Sequence, residues 1–142
     1  MDILFIGGTG QISLDCVREV VNQGHNVFVF NQRNASHLLP ENVNVISGNF
    51  HDNVEYESLL KRNFDVICQF RVFNKDEMLR DIRLIRISQN SLRQYAFIST
   101  VACYRNPGYS VPVTENMIRS NLDWEYCRGI SSFSSGMLNT SN

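Results

Sequence analysis

The sequence predicts an α/β fold with a doubly wound, mostly parallel sheet. Short apolar runs alternate along the 142-residue chain with segments of helical periodicity. The first apolar run is followed at once by Gly7, Gly8 and Gly10, and then by a helical pattern. Strands that alternate with helices need crossover connections, and these place helices on both faces of a parallel sheet.

Each element follows from its local pattern. Residues 3–6 are a continuous apolar run ended by glycine, as in a central strand covered on both faces. Residues 11–23 carry apolar side chains at helical spacing, and Gly24 fits the position after a helix. The expected strands are residues 3–6, 27–30, 43–46, 64–70 and 95–99, and the expected helical or crossover segments are residues 11–23, 36–39, 53–62 and 75–89.

The two later helices have predicted inward faces. The helix over residues 53–62 is capped by Asp52 or Asn53 and should turn its apolar side chains to the core. These are Val54, Leu59 and Leu60. The helix over residues 75–89 has one apolar face, which Leu84 can join, formed by Met78, Leu79, Ile82 and Ile85.

The C-terminal part reads differently. Residues 101–116 contain Pro107, Gly108 and Pro112 and predict a long loop at the ligand-facing edge, followed by the start of a helix over residues 121–128. Residues 129–142 are rich in Ser, Asn and Gly and are expected to be a poorly folded, irregular tail. The predicted domain is therefore residues 1–128.

Composition excludes several classes of partner. A net charge of −1, with 43% apolar and 19% charged residues, leaves no electrostatic footprint for nucleic acid or a membrane surface. The longest apolar stretch is too short to cross a bilayer. The N-terminus carries Asp2 and a strand pattern rather than basic residues that lead to an apolar helix, so we expect no signal peptide. We therefore expect a cytoplasmic protein without a nucleic-acid or membrane partner.

The cysteines suggest neither a metal site nor a disulfide framework. Cys16, Cys68, Cys103 and Cys127 lie far apart and form no Cys-x-x-Cys pair. We expect four reduced thiols and no bound metal.

The glycine turn predicts a site for a dinucleotide phosphate. Glycines permit a tight turn and close approach of the backbone to a pyrophosphate, while the N–H groups of the following helix attract its charge. The predicted cofactor contacts are Gly7, Gly8, Thr9, Gly10, Gln11 and Ile12, with Ser13 in place of a third glycine. The alternative is an α/β domain with a tight first turn and no such ligand.

Polar residues that follow the second and third strands extend this site. Asn31 and Arg33 occupy the place where an acidic side chain would bind the adenosine ribose. An uncharged acceptor with a nearby guanidinium fits a 2′-phosphate better, which favours NADP over NAD; the alternative is a solvated loop arginine. Asn49 and Asp52 could flank an adenine, or could only turn the chain and cap a helix.

Three hydroxyl groups are candidates for the chemistry. Thr100 directly follows the fifth strand, where it could hold a substrate oxygen, and Tyr104 and Tyr126 lie further along. A tyrosine acts as an acid or base when a neighbouring cation lowers its pKa, and a lysine four residues on would supply that cation. Position 130 is Ile, so Tyr126 lacks this cation, and the alternative is an aromatic residue half-buried beside Trp124.

Together these residues resemble the NAD-dependent epimerase/dehydratase family, the extended and atypical short-chain dehydrogenase/reductases. The matching segments cover residues 3–13, 24–25, 30–33, 48–52, 95–104, 113–115 and 121–126. The resemblance implies a Rossmann domain that holds NAD(P), with Asn49 and Phe50 at the cofactor, Thr100 as the family's Ser/Thr and Tyr126 as its catalytic tyrosine. The family's Tyr-x-x-x-Lys ends here in Ile130, and its C-terminal half has no counterpart, so a truncated chain is expected.

Two functions remain open. The first is an NAD(P)-dependent epimerase, dehydratase or reductase that acts by hydride transfer on a sugar-nucleotide or similar alcohol. The second is a non-catalytic dinucleotide-binding sensor or scaffold. The absent lysine and C-terminal half favour the second function, and the series of motifs favours the first as the chain's ancestry. An exposed sheet edge also predicts a homo-oligomer.

Overall fold

The chain forms a five-stranded parallel sheet with helices. The structure is a computed structural model, and it describes residues 1–32, 36–88, 91–99, 104 and 114. The elements are β1 (Asp2–Ile6), α1 (Gln11–Asn22), β2 (Asn26–Asn31), a 3₁₀ helix (Ser36–Leu38), β3 (Asn44–Ser47), α2 (Asn53–Leu60), β4 (Val66–Gln69), α3 (Lys75–Ser88) and β5 (Gln94–Phe97). Every predicted helix up to residue 88 and all five predicted strands are present, with ends that differ by at most two residues, as is usual for helix and strand termini. The predicted end of the third long helix at Gln89, the helix over residues 121–128 and the tail lie outside the described residues.

The strand order places β1 in the middle of the sheet. The order is β3-β2-β1-β4-β5, and β1 pairs with β2 from Asp2↔Asn26 to Ile6↔Phe30. On its other side β1 pairs with β4, in the register Ile6↔Gln69. The chain therefore builds one side of the sheet with β2 and β3 and then crosses β1 to add β4 and β5. This reversal creates a switch point between the carboxyl ends of β1 and β4, where open α/β sheets bind ligands.

Helices cover both faces of the sheet, as predicted. Val27 and Val29 of β2 share a buried cluster with Val17 of α1. Phe30 follows Val29, so it points to the opposite face, and there its ring lies 6.1 Å from that of Tyr56 in α2. Alternation along β2 thus puts α1 and α2 on opposite faces, which explains why the central strands are apolar on both sides.

Two predicted core positions are wrong. Val54 is 79% exposed, because Tyr56, Leu59 and Leu60 define the buried face of α2 and Val54 lies about 200° around the helix from Tyr56. Leu79 is 52% exposed.

The buried positions of α3 follow a spacing of three residues. Met78, Asp81 and Leu84 are all buried there, and Leu79 falls off that line. The fully buried Asp81 was not part of the predicted apolar face. Its carboxylate breaks the hydrophobic pattern from which the inward face was deduced.

The chain divides into two compact units. The first comprises Met1–Arg71 and Asp81–Ile98 and contains the sheet. The second comprises Val72–Arg80 and Ser99–Asn142, of which residues 72–80, 99, 104 and 114 are described. In this second unit Asn74 accepts a hydrogen bond from the N–H of Glu77 at 2.9 Å, which caps the first turn of α3.

Within the described residues, Cys16 and Cys68 are free thiols, while Cys103 and Cys127 lie outside them. The same part of the chain holds no group of three or more His, Cys, Asp or Glu side chains suited to a metal ion. None of its helices is long and apolar enough to span a membrane.

The partial burial of Cys68 predicts a loss of stability at high pH. Burial, with a smaller contribution from Cys16, raises the pKa of the Cys68 thiol from 9.0 to about 11. The unfolded chain therefore loses this proton first, and the free energy of unfolding should fall as the pH rises from 9 to 11. Urea titrations at several pH values should show a smaller fall for Cys68→Ala. Cys16→Ala is the matched control and should retain most of the fall, since burial is the larger cause. Equal falls in the wild type and Cys68→Ala would contradict this assignment.

Candidate active site

Hydrogen bonds beyond the strand ends hold the carboxyl edge of the sheet together. The N–H of Gly7 donates to the carbonyl of Phe30 at 3.0 Å, and the N–H of Gly48 donates to the carbonyl of Asn31 at 3.0 Å. On the other side of β1, the N–H of Phe70 donates to the carbonyl of Ile6 at 3.0 Å. The first residues after β1, β3 and β4 thus continue the sheet's hydrogen bonding at the point where the chain turns.

The first two glycines serve different steric needs. Gly7 has φ +87°, and a Cβ atom there would lie 2.7 Å from Cγ of Arg71. A Cβ atom on Gly8 would lie 2.8 Å from Cγ2 of Val29, so this glycine allows the turn to sit directly on β2. Gly7 provides the left-handed conformation of the turn, and Gly8 provides the close packing beneath it.

Ser13 closes the turn where the glycine pattern has its third member. Its Oγ accepts a hydrogen bond from the N–H of Gly10 at 2.8 Å, and the side chain is 2% exposed. Gly10 is the N-cap of α1. The N–H groups of Gln11 and Ile12 belong to the first turn of that helix, so they have no acceptor within it and can bind an anion.

A first cavity opens at the carboxyl ends of β1 and β2. Two aromatic side chains, Phe30 and the buried Phe50, form part of its wall. Their rings lie 6.1 Å and 5.0 Å from the ring of Tyr56. The cavity is lined by Ile6, Gly7, Thr9, Phe30, Asn31, Gln32, Gly48, Phe50 and Arg71. An apolar wall with a few polar groups is typical of a site for an organic ligand.

A second cavity surrounds the first turn of α1. It is lined by Gly7, Thr9, Gly10, Gln11, Ile12, Ser13, Phe70 and Arg71. Gly7, Thr9 and Arg71 line both cavities, so the two adjoin at the glycine turn. Among the described residues that line them, Arg71 alone carries a positive charge.

A third cavity lies beyond the first, at the ends of β2 and β3. It is lined by Gln32, Ser47, Gly48, Asn49 and Glu55. Oδ1 of Asn49 accepts hydrogen bonds from Nε2 of Gln32 at 3.2 Å and from the N–H of His51 at 3.0 Å. The N–H of Asn49 donates to the Glu55 carboxylate at 2.7 Å. Asn49 therefore organises the loop after β3, and Glu55 brings a negative charge to this end of the site.

A buried polar network supports the strand end that precedes Arg71. Gln69 is fully buried, and its Nε2 donates to the Tyr56 hydroxyl at 3.0 Å and to Oδ2 of Asp81 at 2.6 Å. The Tyr95 hydroxyl donates to the same Asp81 oxygen at 2.8 Å. Burial and the Asp81 carboxylate raise the pKa of Tyr95 far above its usual value, so its proton stays in the network. Oε1 of Gln69 accepts from the N–H of Arg71 at 2.8 Å.

The structure brings most of the predicted cofactor residues to one edge of the sheet. Gly7, Thr9, Gly10, Gln11, Ile12, Asn31 and Phe50 line the first two cavities, Gly8 packs beneath the turn, and Asn49 lines the third cavity. Arg33, Thr100 and Tyr126 lie outside the described residues, so their roles stay predictions. Tyr104 is described and belongs to the second unit.

Sequence reasoning missed Arg71 and the network behind it. Arg71 lies two residues after β4, at the same edge of the sheet as Asn31. The rule that pointed to Asn31, at the carboxyl end of β2, would have pointed to Arg71 as well.

No protein-family model matches this chain, and no curated protein matches it. Several solved structures are similar to it. UDP-glucose 4-epimerase from Bifidobacterium longum, in complex with NAD⁺ and UDP, aligns with a TM-score of 0.76 and 16% identity over 98% of this chain and 48% of its own. Gre2 from Candida albicans, in complex with NADPH, aligns with a TM-score of 0.77 and 15% identity over 100% of this chain and 54% of its own. The UDP-Glc/GlcNAc 4-epimerase from Campylobacter jejuni aligns with a TM-score of 0.77 and 17% identity over 96% of this chain and 47% of its own.

The chain thus has the Rossmann-like fold of these proteins and spans about half of their length. The predicted resemblance to the NAD-dependent epimerase/dehydratase family is confirmed at the level of the fold.

The geometry of the turn predicts that Gly7→Ala is costlier than the same change at Gly24. Both residues have positive φ, +87° and +80°, so an alanine at either costs about 1–2 kcal/mol of strain. Only at Gly7 does the new Cβ meet a neighbour, Arg71, whereas nothing lies within 4 Å at Gly24. Urea denaturation should show a free energy of unfolding lower by about 1 kcal/mol or more in Gly7→Ala than in Gly24→Ala. Equal losses would mean that Arg71 does not lie over the turn.

Proposed function

We propose that the chain binds a nicotinamide dinucleotide, NAD or NADP, along the first two cavities. The observation that carries this proposal is that the cavities meet at the glycine turn and share Gly7, Thr9 and Arg71. A dinucleotide has the matching form, with two nucleosides joined by a pyrophosphate. In this arrangement the pyrophosphate lies at the turn, and the adenosine lies in the first cavity.

The chemistry of the residues fits this ligand. The pyrophosphate meets the first N–H groups of α1, in the cavity that Gln11 and Ile12 line. The adenosine meets the buried ring of Phe50 and the polar end of Asn31. Solved structures of the same fold are described as complexes with NADPH and with NAD⁺ and UDP, which supports the same class of cofactor here.

We further propose hydride transfer at a sugar-nucleotide alcohol as the ancestral reaction of this site. A bound nicotinamide ring supplies or accepts the hydride. Thr100 would hold the substrate oxygen, and Tyr126 would move the proton of the alcohol. The UDP-glucose epimerases of the same fold make a UDP-sugar the first substrate to test. NADP rather than NAD is favoured by Asn31 and Arg33 of the sequence.

A second candidate function is dinucleotide binding without turnover. It is favoured by Ile130, which occupies the position of the lysine that would lower the pKa of Tyr126, and by the absence of any lysine after Lys75 in the sequence. A sensor or scaffold needs the glycine turn and the two cavities, but no proton donor.

Cofactor binding is testable with a pair of nearly isosteric variants at Thr9. Titration with NADH and NADPH, followed by nicotinamide fluorescence, should saturate for the wild type. Thr9 lines both cavities, so Thr9→Glu places a negative charge beside the phosphates and should weaken binding by at least about tenfold relative to Thr9→Gln. Absence of binding to either nucleotide would refute the proposed function. Equal affinities of the two variants would remove the phosphates from this turn.

Turnover separates the two candidate functions. The chain is incubated with NAD⁺ or NADP⁺ and UDP-glucose, and formation of the reduced nucleotide or of UDP-galactose is measured. An active wild type excludes the non-catalytic module. If the wild type has no activity, activity gained by Ile130→Lys and lost again in Ile130→Lys/Tyr126→Phe assigns the defect to the missing cation. If Ile130→Lys also has no activity but still binds the cofactor, the non-catalytic binding module is favoured.

A further inference from the structure

Arg71 adds a positively charged side chain to the glycine turn from a different part of the sequence. It follows β4 on the far side of the switch point from β2, yet it lines the cavity beside β2 as well as the cavity around α1. A Cβ atom on Gly7 would lie 2.7 Å from its Cγ and 2.9 Å from its Cδ. The methylene groups of Arg71 therefore run directly over the turn, in contact with the backbone that a pyrophosphate would approach.

The backbone of Arg71 is fixed from below by Gln69. The two N–H groups of the Gln69 amide donate to Tyr56 and Asp81, so its oxygen is directed to the N–H of Arg71 at 2.8 Å. Asp81 is fully buried, and as a carboxylate it accepts only, which prevents the Gln69 amide from turning over. Burying the polar side chains of Gln69 and Asp81 costs desolvation free energy. The hydrogen bonds that they form hold the backbone just before Arg71 in one orientation.

One backbone donor of the glycine turn is already used within the protein. The N–H of Gly10 donates to Oγ of Ser13 at 2.8 Å, so the backbone donors that can bind an anion at the start of α1 are those of its first turn. A guanidinium adds donors in a planar fork that matches two phosphate oxygens, together with a full positive charge.

We propose that Arg71 binds the pyrophosphate of the dinucleotide and that Gln69 is the residue that positions it. This inference rests on the proposed function and adds to it the residues that recognise the phosphates. The phosphate-binding unit is then bipartite, with backbone amides from the turn after β1 and a side-chain cation from the turn after β4. The two parts meet across the switch point of the sheet.

The test compares ligands with and without phosphates. Dissociation constants of adenosine, ADP and NADH are measured by calorimetry for the wild type, Arg71→Met, Arg71→Lys and Arg18→Met. Arg71→Met should weaken ADP and NADH by about tenfold or more and leave adenosine nearly unchanged. Arg71→Lys should fall between them, because it keeps the charge and loses the fork. Arg18→Met is the matched control, since it removes the same charge from an exposed side chain paired with Asp15 on α1, and it should bind all three ligands like the wild type.

The results separate this inference from the proposed function. A wild type that binds neither ADP nor NADH in this experiment, and no NADPH in the fluorescence titration, refutes the proposed function, and the role of Arg71 with it. Wild-type binding of NADH, with an unchanged ratio of adenosine to ADP dissociation constants in Arg71→Met, overturns the role of Arg71 alone.

The role of Gln69 has its own readout. Gln69→Met should reduce the ratio of adenosine to ADP dissociation constants, and in the double variant with Arg71→Met the ratio should fall no further than in Arg71→Met. A merely structural role would lower the free energy of unfolding without changing that ratio. This outcome, measured by urea denaturation beside the calorimetry, would overturn Gln69 as a positioning residue.

Discussion

The conformation of Gly7 is the constraint on which the rest of the site depends. Its φ of +87° turns the chain sharply away from β1 while its N–H still bonds to Phe30 of β2 at 3.0 Å. The start of α1 is thereby brought over the carboxyl edge of the sheet, beside the switch point. Any side chain at this position would meet Arg71, so the same glycine that allows the turn also allows the cation to lie across it. One missing Cβ atom thus joins the two halves of the sheet at the ligand-facing edge.

The fold followed from the sequence because its signals are local. Parallel strands buried on both faces are continuous apolar runs, as residues 3–6 show, and a glycine directly after such a run marks the turn. The errors concern side-chain direction. Val54 is apolar but lies opposite Tyr56, and Leu79 lies beside a buried line that contains Asp81. A pattern of apolar spacing cannot identify a buried carboxylate, because its partners come from other elements of the fold.

The candidate site was predictable only in part for the same reason. The glycine turn and Asn31 occupy positions that a motif or a strand end marks in the sequence. The contacts of Gln69 with Tyr56, Asp81 and Arg71 join residues that no motif links, and they exist only once β4 lies next to β1. The site therefore combines a glycine turn, which the sequence reveals, with a network of tertiary contacts around Gln69, which it does not. Binding depends on both, whereas the proposed chemistry depends on Thr100 and Tyr126, which lie outside the described residues.

The central claim is that a dinucleotide lies across the glycine turn, and amide NMR tests its location directly. A ¹H–¹⁵N titration of the labelled protein with NAD⁺, and in parallel with NADP⁺, reports every backbone N–H near the ligand. At least one titration should move the signals of Gly7, Gln11, Ile12, Phe50 and Arg71 together, and leave those of the far end of the sheet, such as Asn26 and Val66, in place. Saturable shifts confined to other surfaces, or no shifts with either nucleotide at millimolar concentration, would contradict the claim.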